Sequence, residues 1–309
     1  MHPQQTLHRA NLVGIAWMTT AMAAFAVEDA FIKAATRQLP VGQVLILFGA
    51  AGALVFAGLA RRSGTALFTA QALSRVMLIR ALAELVGRTF YVLAIALTPL
   101  SSATAILQAT PLIVVLGAIV FFGERVDGAR WCAIVAGLVG VLIILRPAAA
   151  DFTALSMLAV IGTVGFAGRD LASRAAPASL STWVLGLYGF LTLVVAGILV
   201  AAWSGKPVVG ITGSQAWGLA GAAGSGVFAY AALMKAMRTG SIAAVTPFRY
   251  TRLLFGIVLG AAIFDERPDG PMLLGCGVII GAGLFIWWQG KVAAQRAAPA
   301  PSDGSHPGP

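Results

Sequence analysis

Histidine is missing from every apolar stretch of this 309-residue chain, since His2, His8 and His306 all lie in its end segments. A Ser-His-Asp hydrolase, a haem site and a zinc site of usual composition each lose their central residue. Cysteine is nearly missing as well: Cys132 and Cys276 are expected as two reduced, buried thiols near opposite membrane faces, with no disulfide. Charge is scarce, with Asp, Glu, Lys and Arg at 10% of residues against roughly 25% in a soluble protein. That excludes a water-soluble enzyme. Lys and Arg outnumber Asp and Glu 21 to 11, yet they stand singly or in pairs between apolar runs, with no basic stripe. A nucleic-acid partner is therefore not expected. GxxxxGK(S/T) is also missing, so nucleotide hydrolysis does not drive this protein. No cofactor and no metal are expected.

What is abundant is apolar surface: 59% of residues are hydrophobic and the mean hydropathy is +0.89. Runs long enough to cross a bilayer, about 20 residues each, fall at 12–33, 41–60, 76–97, 101–122, 130–146, 152–173, 182–203, 215–236, 241–264 and 272–288. Prolines at 40, 99, 147, 177, 207 and 268 punctuate them. The fold class expected is all-α integral membrane, with ten transmembrane helices. Residues 1–11 are expected as a cytoplasmic N-terminal tail and 291–309 as a disordered cytoplasmic tail. Orientation follows from the basic residues. Arg9, Arg61, Arg62, Arg75, Arg125, Arg130, Arg174, Lys235, Arg238, Lys291 and Arg296 share the side of both termini, against Arg37, Arg146, Lys206 and Arg267. The positive-inside rule then puts both termini in the cytoplasm of a multi-pass protein of the inner (plasma) membrane.

The chain repeats itself. FFGERVDG at 121–128 returns as IFDERPDG at 263–270, and FAVEDAFIK at 25–33 returns as FAGRDLASR at 166–174, at offsets of 142 and 141. Each half, 12–147 and 152–290, then holds five spans. An odd number turns the second half upside down, giving two inverted five-helix repeats, an architecture used for alternating access.

These residues resemble a known family, the EamA-type members of the ten-helix drug/metabolite transporter superfamily. The resemblance rests on the Gly123-Glu124-Arg125 ending of the fourth span and on Pro111, thirteen residues before Glu124, and covers roughly 11–289. The second half departs from it, with Leu253 where that proline would recur and Pro247 earlier. The resemblance implies export or uptake of small metabolites, amino acids or related compounds.

Charges inside the spans carry more information than the apolar residues around them, because each costs at least about 2.5 to 3.5 kcal/mol to insert at the bilayer centre. Arg80, Glu84 and Arg88 stand four apart on one helical face. Two readings are open. The stripe is either a self-neutralising ladder that bonds neighbouring helices, or the wall of a central cavity, with Glu84 as proton acceptor or amine ligand and an arginine for a substrate carboxylate. TPFRYTR supplies Thr246, Arg249, Tyr250 and Arg252, with a backbone carbonyl freed by Pro247. Tyr91 and Gln108 lie at cavity depth. The spans hold five arginines (Arg80, Arg88, Arg169, Arg249, Arg252) against four carboxylates (Glu28, Asp29, Glu84, Asp170), a surplus that an anionic or zwitterionic substrate would balance. Asp29 with Lys33 and Asp170 with Arg174 have the acid-before-base spacing of helix-end ion pairs. Together with Glu28 and Arg169 they are candidates for gating or coupling.

The function expected is a secondary transporter of a small carboxylate-bearing or zwitterionic metabolite, proton- or exchange-coupled. Its partners are a small-molecule substrate, membrane lipid and protons, and a homodimer is compatible with the chain. The alternative is an integral-membrane enzyme acting on a lipid-linked substrate.

Overall fold

A computed structural model describes residues 3–69, 71, 74–123, 128–146, 154–174, 180–239 and 245–297. Among them every regular element is helical: α1 (Pro3–Thr36), α2 (Val41–Arg62), α3 (Arg75–Leu97), α4 (Leu100–Leu107), α5 (Thr110–Phe122), α6 (Gly128–Leu145), α7 (Ser156–Arg174), α8 (Thr182–Ser204), α9 (Gly213–Thr239), a 3₁₀ turn (Thr246–Tyr250), α10 (Thr251–Phe264) and α11 (Gly270–Ala297). Helix extends into both expected tails, back to Pro3 and on to Ala297.

Six segments are long and apolar enough to cross a membrane: Arg9–Thr36, Val41–Arg62, Leu100–Phe121, Thr182–Ser204, Gly213–Met237 and Gly270–Gln289. The other four expected spans are helical but miss that criterion for local reasons. Helix α3 carries too many charges, Arg169 and Asp170 together with small polar residues lower the hydropathy of α7, α6 has only a short apolar core at Trp131–Leu145, and α10 is shortened by the 3₁₀ turn before it. The span expected at 101–122 is likewise two helices, broken at Gln108 and Ala109, with Pro111 in the first turn of α5.

The ends follow ordinary capping chemistry. Ser74 and Ser181 accept from the backbone N–H of Met77 (3.4 Å) and Trp183 (3.2 Å). Gly123 ends α5 at φ +64°, and Asp265, its counterpart in the repeated motif, ends α10 at φ +55°. Aspartate is one of the few side chains that tolerates this left-handed cap.

Packing joins the two halves of the sequence. The most extensive pairings are α1 with α9, α2 with α8, α3 with α7 and α6 with α11, each linking an early helix to a late one. Lipid tails are as apolar as leucine, so helices here associate through close contact and polar bonds rather than by escaping water. The α3–α7 crossing shows that contact: a Cβ placed on Gly165 would sit 2.6 Å from the Gly87 Cα. Gly277 and Gly281 on α11 face open space. Outward residues such as Leu54 (75% exposed) and Phe121 (76%) suit acyl chains. Both cysteines are free; Cys276 is buried as expected, but Cys132 lies on the exposed face of α6.

Candidate functional site

Ion pairs join the charged stripe on α3 within the helix and to neighbouring helices. Glu84, 3% exposed, meets three guanidinium groups: Arg80 Nη2 at 3.2 Å, Arg169 Nη1 at 3.5 Å and Arg88 Nε at 3.8 Å. Helix α8 presents Gly189 to this carboxylate, where a Cβ would lie 3.5 Å from both oxygens. Arg169 also donates to its chain neighbour Asp170 from Nε (2.9 Å) and Nη2 (2.8 Å), and Arg80 Nε donates to Ser173 Oγ at 3.0 Å.

A second centre lies between α1, α3 and α10. Asp29 Oδ2 accepts from Arg252 Nη2 (2.7 Å) and Nε (3.3 Å) and from the Tyr91 hydroxyl (3.1 Å). Arg88 joins the centres by donating from Nη1 to Glu28 Oε1 at 3.3 Å, beside Asp29. Four carboxylates and four arginines are thus paired, and Arg249 is the fifth arginine. Half-buried, it has no carboxylate within 4.0 Å among the described residues. Its backbone carbonyl accepts from the Gln108 side-chain amide at 3.3 Å.

Aromatic faces cover the guanidinium planes, a role the sequence reading did not assign. Arg252 lies 5.0 Å from the Phe25 ring centre, and Arg169 and Arg88 lie 4.9 and 5.7 Å from that of Phe166. Phe25 and Phe166 are the first residues of the repeated FAVEDAFIK and FAGRDLASR segments, so the repeat was the available signal.

The expected Asp29–Lys33 pair is not formed. Lys33 Nζ donates to the carbonyls of Ile95 (3.0 Å) and Thr98 (2.6 Å) and lies 3.5 Å from Glu266 Oε1. The physical reason is competition. Asp29 is taken by a two-nitrogen arginine contact, whereas carbonyls at the end of α3 have no partners within their own helix and are open to a cation. Asp170 is likewise held by Arg169, and the side chains of Arg174 and Thr246 lie outside the described residues. Tyr250 turns toward α11, into the notch left by Gly283, with its hydroxyl buried and without a hydrogen-bond partner.

The two ends of the network differ in exposure. Lys33 and Glu266 side chains are 8% and 10% exposed, and those of Arg169 and Asp170, at the other end, are 20% and 27%. Among the described residues no group of three His, Cys, Asp or Glu side chains could hold a metal ion.

The EamA-like transporter family matches this chain twice, over residues 12–146 and 150–288. An S-adenosylmethionine uptake transporter of Rickettsia bellii is 28% identical over 223 residues, covering 72% of this chain and 75% of that protein. A riboflavin transporter of Rhizobium johnstonii is 29% identical over 287 residues, covering 89% and 91%. A pseudopaline exporter of Pseudomonas aeruginosa is 28% identical over 277 residues, covering 88% and 95%. A crystal structure with a TM-score of 0.57 and 18% identity covers 89% of this chain and 96% of its own, which shows a shared fold.

Proposed function

Because the chain belongs to the EamA-like transporter family, a family of transporters and not of enzymes, we propose that it is a secondary transporter moving a small carboxylate-bearing or zwitterionic metabolite, an amino acid or related compound. The observation that carries this substrate class is Arg249. With the other four arginines each matched to a carboxylate, Arg249 has none within 4.0 Å among the described residues, and Asp170 acts on it only from farther away. A half-buried guanidinium with no carboxylate at contact distance is open to a substrate carboxylate, which its fork can hold through two parallel bonds. The relatives named above transport three different small molecules, and their names include both uptake and export. The proposal therefore rests on this chain's own charges and carries no direction.

Transport proceeds by alternating access between two inverted five-helix halves. Three observations support this. The family matches each half separately, every major helix pairing joins one half to the other, and the matched caps Gly123 and Asp265 share a left-handed backbone. In the orientation given by the basic residues, with both termini cytoplasmic in the inner membrane, the Lys33–Glu266 end is the outer mouth and the Arg169–Asp170 end the inner one. The greater exposure of the Arg169–Asp170 end then corresponds to a conformation closed outside and more open inside. Glu28, Asp29, Lys33, Arg169 and Asp170 act in gating or coupling, and Arg80, Glu84, Arg88, Tyr91, Gln108 and Arg252 frame the substrate around Arg249. Coupling is to protons or to a counter-substrate.

A thermal-shift screen of amino acids, nucleosides, vitamins and organic acids on detergent-purified protein tests the substrate class. Stabilisation by carboxylates is expected, lost in Arg249→Ala. Hits confined to neutral or cationic compounds would refute the assignment. Flux of a hit into proteoliposomes should saturate with concentration; a linear dependence would indicate a channel.

A further inference from the structure

We propose that Glu28, rather than Glu84, takes up and releases the coupling proton, and that neutralising Glu28 frees Arg88 to bind an anionic group of the substrate. This rests on the transporter reading above and adds to it a named proton site and a linkage between proton and anion.

The counter-charges around Glu28 set it apart from Glu84. It is 1% exposed. Its Oε1 accepts one bond, from Arg88 Nη1 at 3.3 Å, while Oε2 is fully buried with neither a hydrogen bond nor an ion pair among the described residues; the buried Oε2 of Glu84 also lacks a hydrogen bond but has Arg80 Nη2 at 3.2 Å. Helix α9 meets that oxygen with Gly226, where a Cβ would lie 3.1 Å from Oε2, and α2 adds Phe48 beside it. Neither brings a charge. On its own helix the neighbour is Asp29. From α10 comes Arg252, already committed to Asp29 at 2.7 Å. From α3 come Arg88, Tyr91, whose hydroxyl donates to Asp29, and Glu84, the other carboxylate of Arg88 at 3.8 Å. Glu28 thus has one counter-charge, and shares it.

Protonation has different consequences at the two glutamates. A proton on Glu84 would strip Arg80 of its carboxylate and leave three guanidinium groups around a neutral acid. A proton on Glu28 Oε2 removes a charge whose oxygen has no donor, and leaves Arg252 with Asp29 and Arg88 with Glu84. Burying a carboxylate oxygen without a donor is the costly state, so the neutral acid fits this pocket better than the anion.

The local balance then falls from five arginines against four carboxylates to five against three. Arg88 then meets a neutral carbonyl oxygen at Glu28 Oε1 in place of an anion, and its charge is open to an anionic group of the substrate. Proton and substrate carboxylate favour each other's binding by reciprocal linkage. One proton enters from water on one side with each anionic group and leaves to water on the other, and no other reactant is needed.

Both halves of the proposal can be tested without a substrate. Infrared difference spectra of the full chain in lipid nanodiscs, stepped from about pH 5 to about pH 8, should show a buried carboxylic-acid carbonyl band that is lost as the pH rises. The band should vanish in E28Q, shift in E28D, which covers the case where E28Q does not fold, and persist in E84Q. A band that survives in E28Q, a band lost only in E84Q, or no titrating carboxylic acid in the wild type would each overturn the assignment. Phenylglyoxal labelling of Arg88, read by peptide mass at one fixed pH, should be faster in E28Q than in the wild type. Equal rates would overturn the release of Arg88. These readouts can fail while the ligand screen succeeds, or the reverse, so this proposal and the transporter reading are judged separately.

Discussion

Lys33 and Glu266 face each other at 3.5 Å from opposite ends of the chain, and each also serves a helix terminus. Lys33 donates to two carbonyls around the end of α3, while Glu266 accepts from the N–H groups of Leu100 (2.6 Å) and Ser101 (2.9 Å) and the Ser101 hydroxyl (2.7 Å) at the start of α4. A cation at a helix C-terminus and an anion at an N-terminus both sit favourably in the helix dipole. One ion pair thereby fixes the short connection between α3 and α4 to the loop after α10.

Glu266→Ala should remove about 3 to 5 kcal/mol, because it leaves the Lys33 ammonium buried without its counter-ion and the α4 terminus uncapped. Glu266→Gln should lose less, since its amide oxygen still accepts from backbone N–H groups. Thermal unfolding in detergent measures both. A Glu266→Ala protein melting with the wild type would mean that the clasp contributes nothing.

Arg249 and Arg252, three residues apart, should respond oppositely to removal. Arg252→Ala leaves Asp29 buried with only the Tyr91 hydroxyl, and should cost stability on the order of 3 to 5 kcal/mol. Arg249→Ala breaks no ion pair among the described residues, so it should leave the melting temperature nearly unchanged and weaken binding of a carboxylate more than of its amide. Equal losses for acid and amide would make Arg249 a structural residue only.

Asp269, in the loop before α11, accepts from the Arg146 guanidinium and from the Met272 N–H at 3.0 Å. The Arg146 bonds foremost, then the backbone bond, hold its carboxyl below the usual range. A group depressed in the folded state adds stability that is fully present above its unfolded value, about 3.9, and is lost as pH falls through the folded value. Melting temperature should therefore decline on acidification below about pH 4, with part of that slope missing in Asp269→Asn. An identical acid profile in the variant would count against the interaction.

Gly165→Ala should disrupt the α3–α7 crossing, since the added carbon would press on the Gly87 backbone and neither helix has a flexible side chain there to yield. Gly277→Ala meets open space and should be neutral or slightly stabilising through helix propensity. Size-exclusion profiles and melting temperatures of the pair compare them directly. Equal behaviour would show that the crossing relaxes freely.

Cysteines introduced at Val126 and Arg267, in a background with Cys132→Ser and Cys276→Ser, should label from opposite sides of the membrane, Val126 from the cytoplasm and Arg267 from outside. Labelling of both from one side would overturn the inverted arrangement.

Much of the fold could be read from hydropathy and proline, because helix position in a membrane protein depends on local composition. The break at Gln108 and Ala109 was harder to see: the run from 101 to 122 stays apolar throughout, and only Pro111, in the first turn of α5, signals a new start. The charged positions were equally plain, since ionised residues stand out against 59% hydrophobic sequence. Their partners were not. Spacing along one helix suggested Lys33 with Asp29, but the choice was made by groups on other helices, the carbonyls of α3 and Glu266, whose nearness depends on crossings that no local pattern encodes. Glu266 itself stood in view as part of a repeated motif, with nothing in its immediate neighbours to show that it reaches the start of α4.

The break between α4 and α5 is tied to the 3₁₀ turn that leads into α10, through the amide of Gln108 and the carbonyl of Arg249. Bending at either place changes the spacing across that bond, so one cannot flex without pulling on the other or letting go. A substrate held by Arg249, as proposed above, would sit at that junction, where a molecule small compared with the bundle gains leverage over its shape.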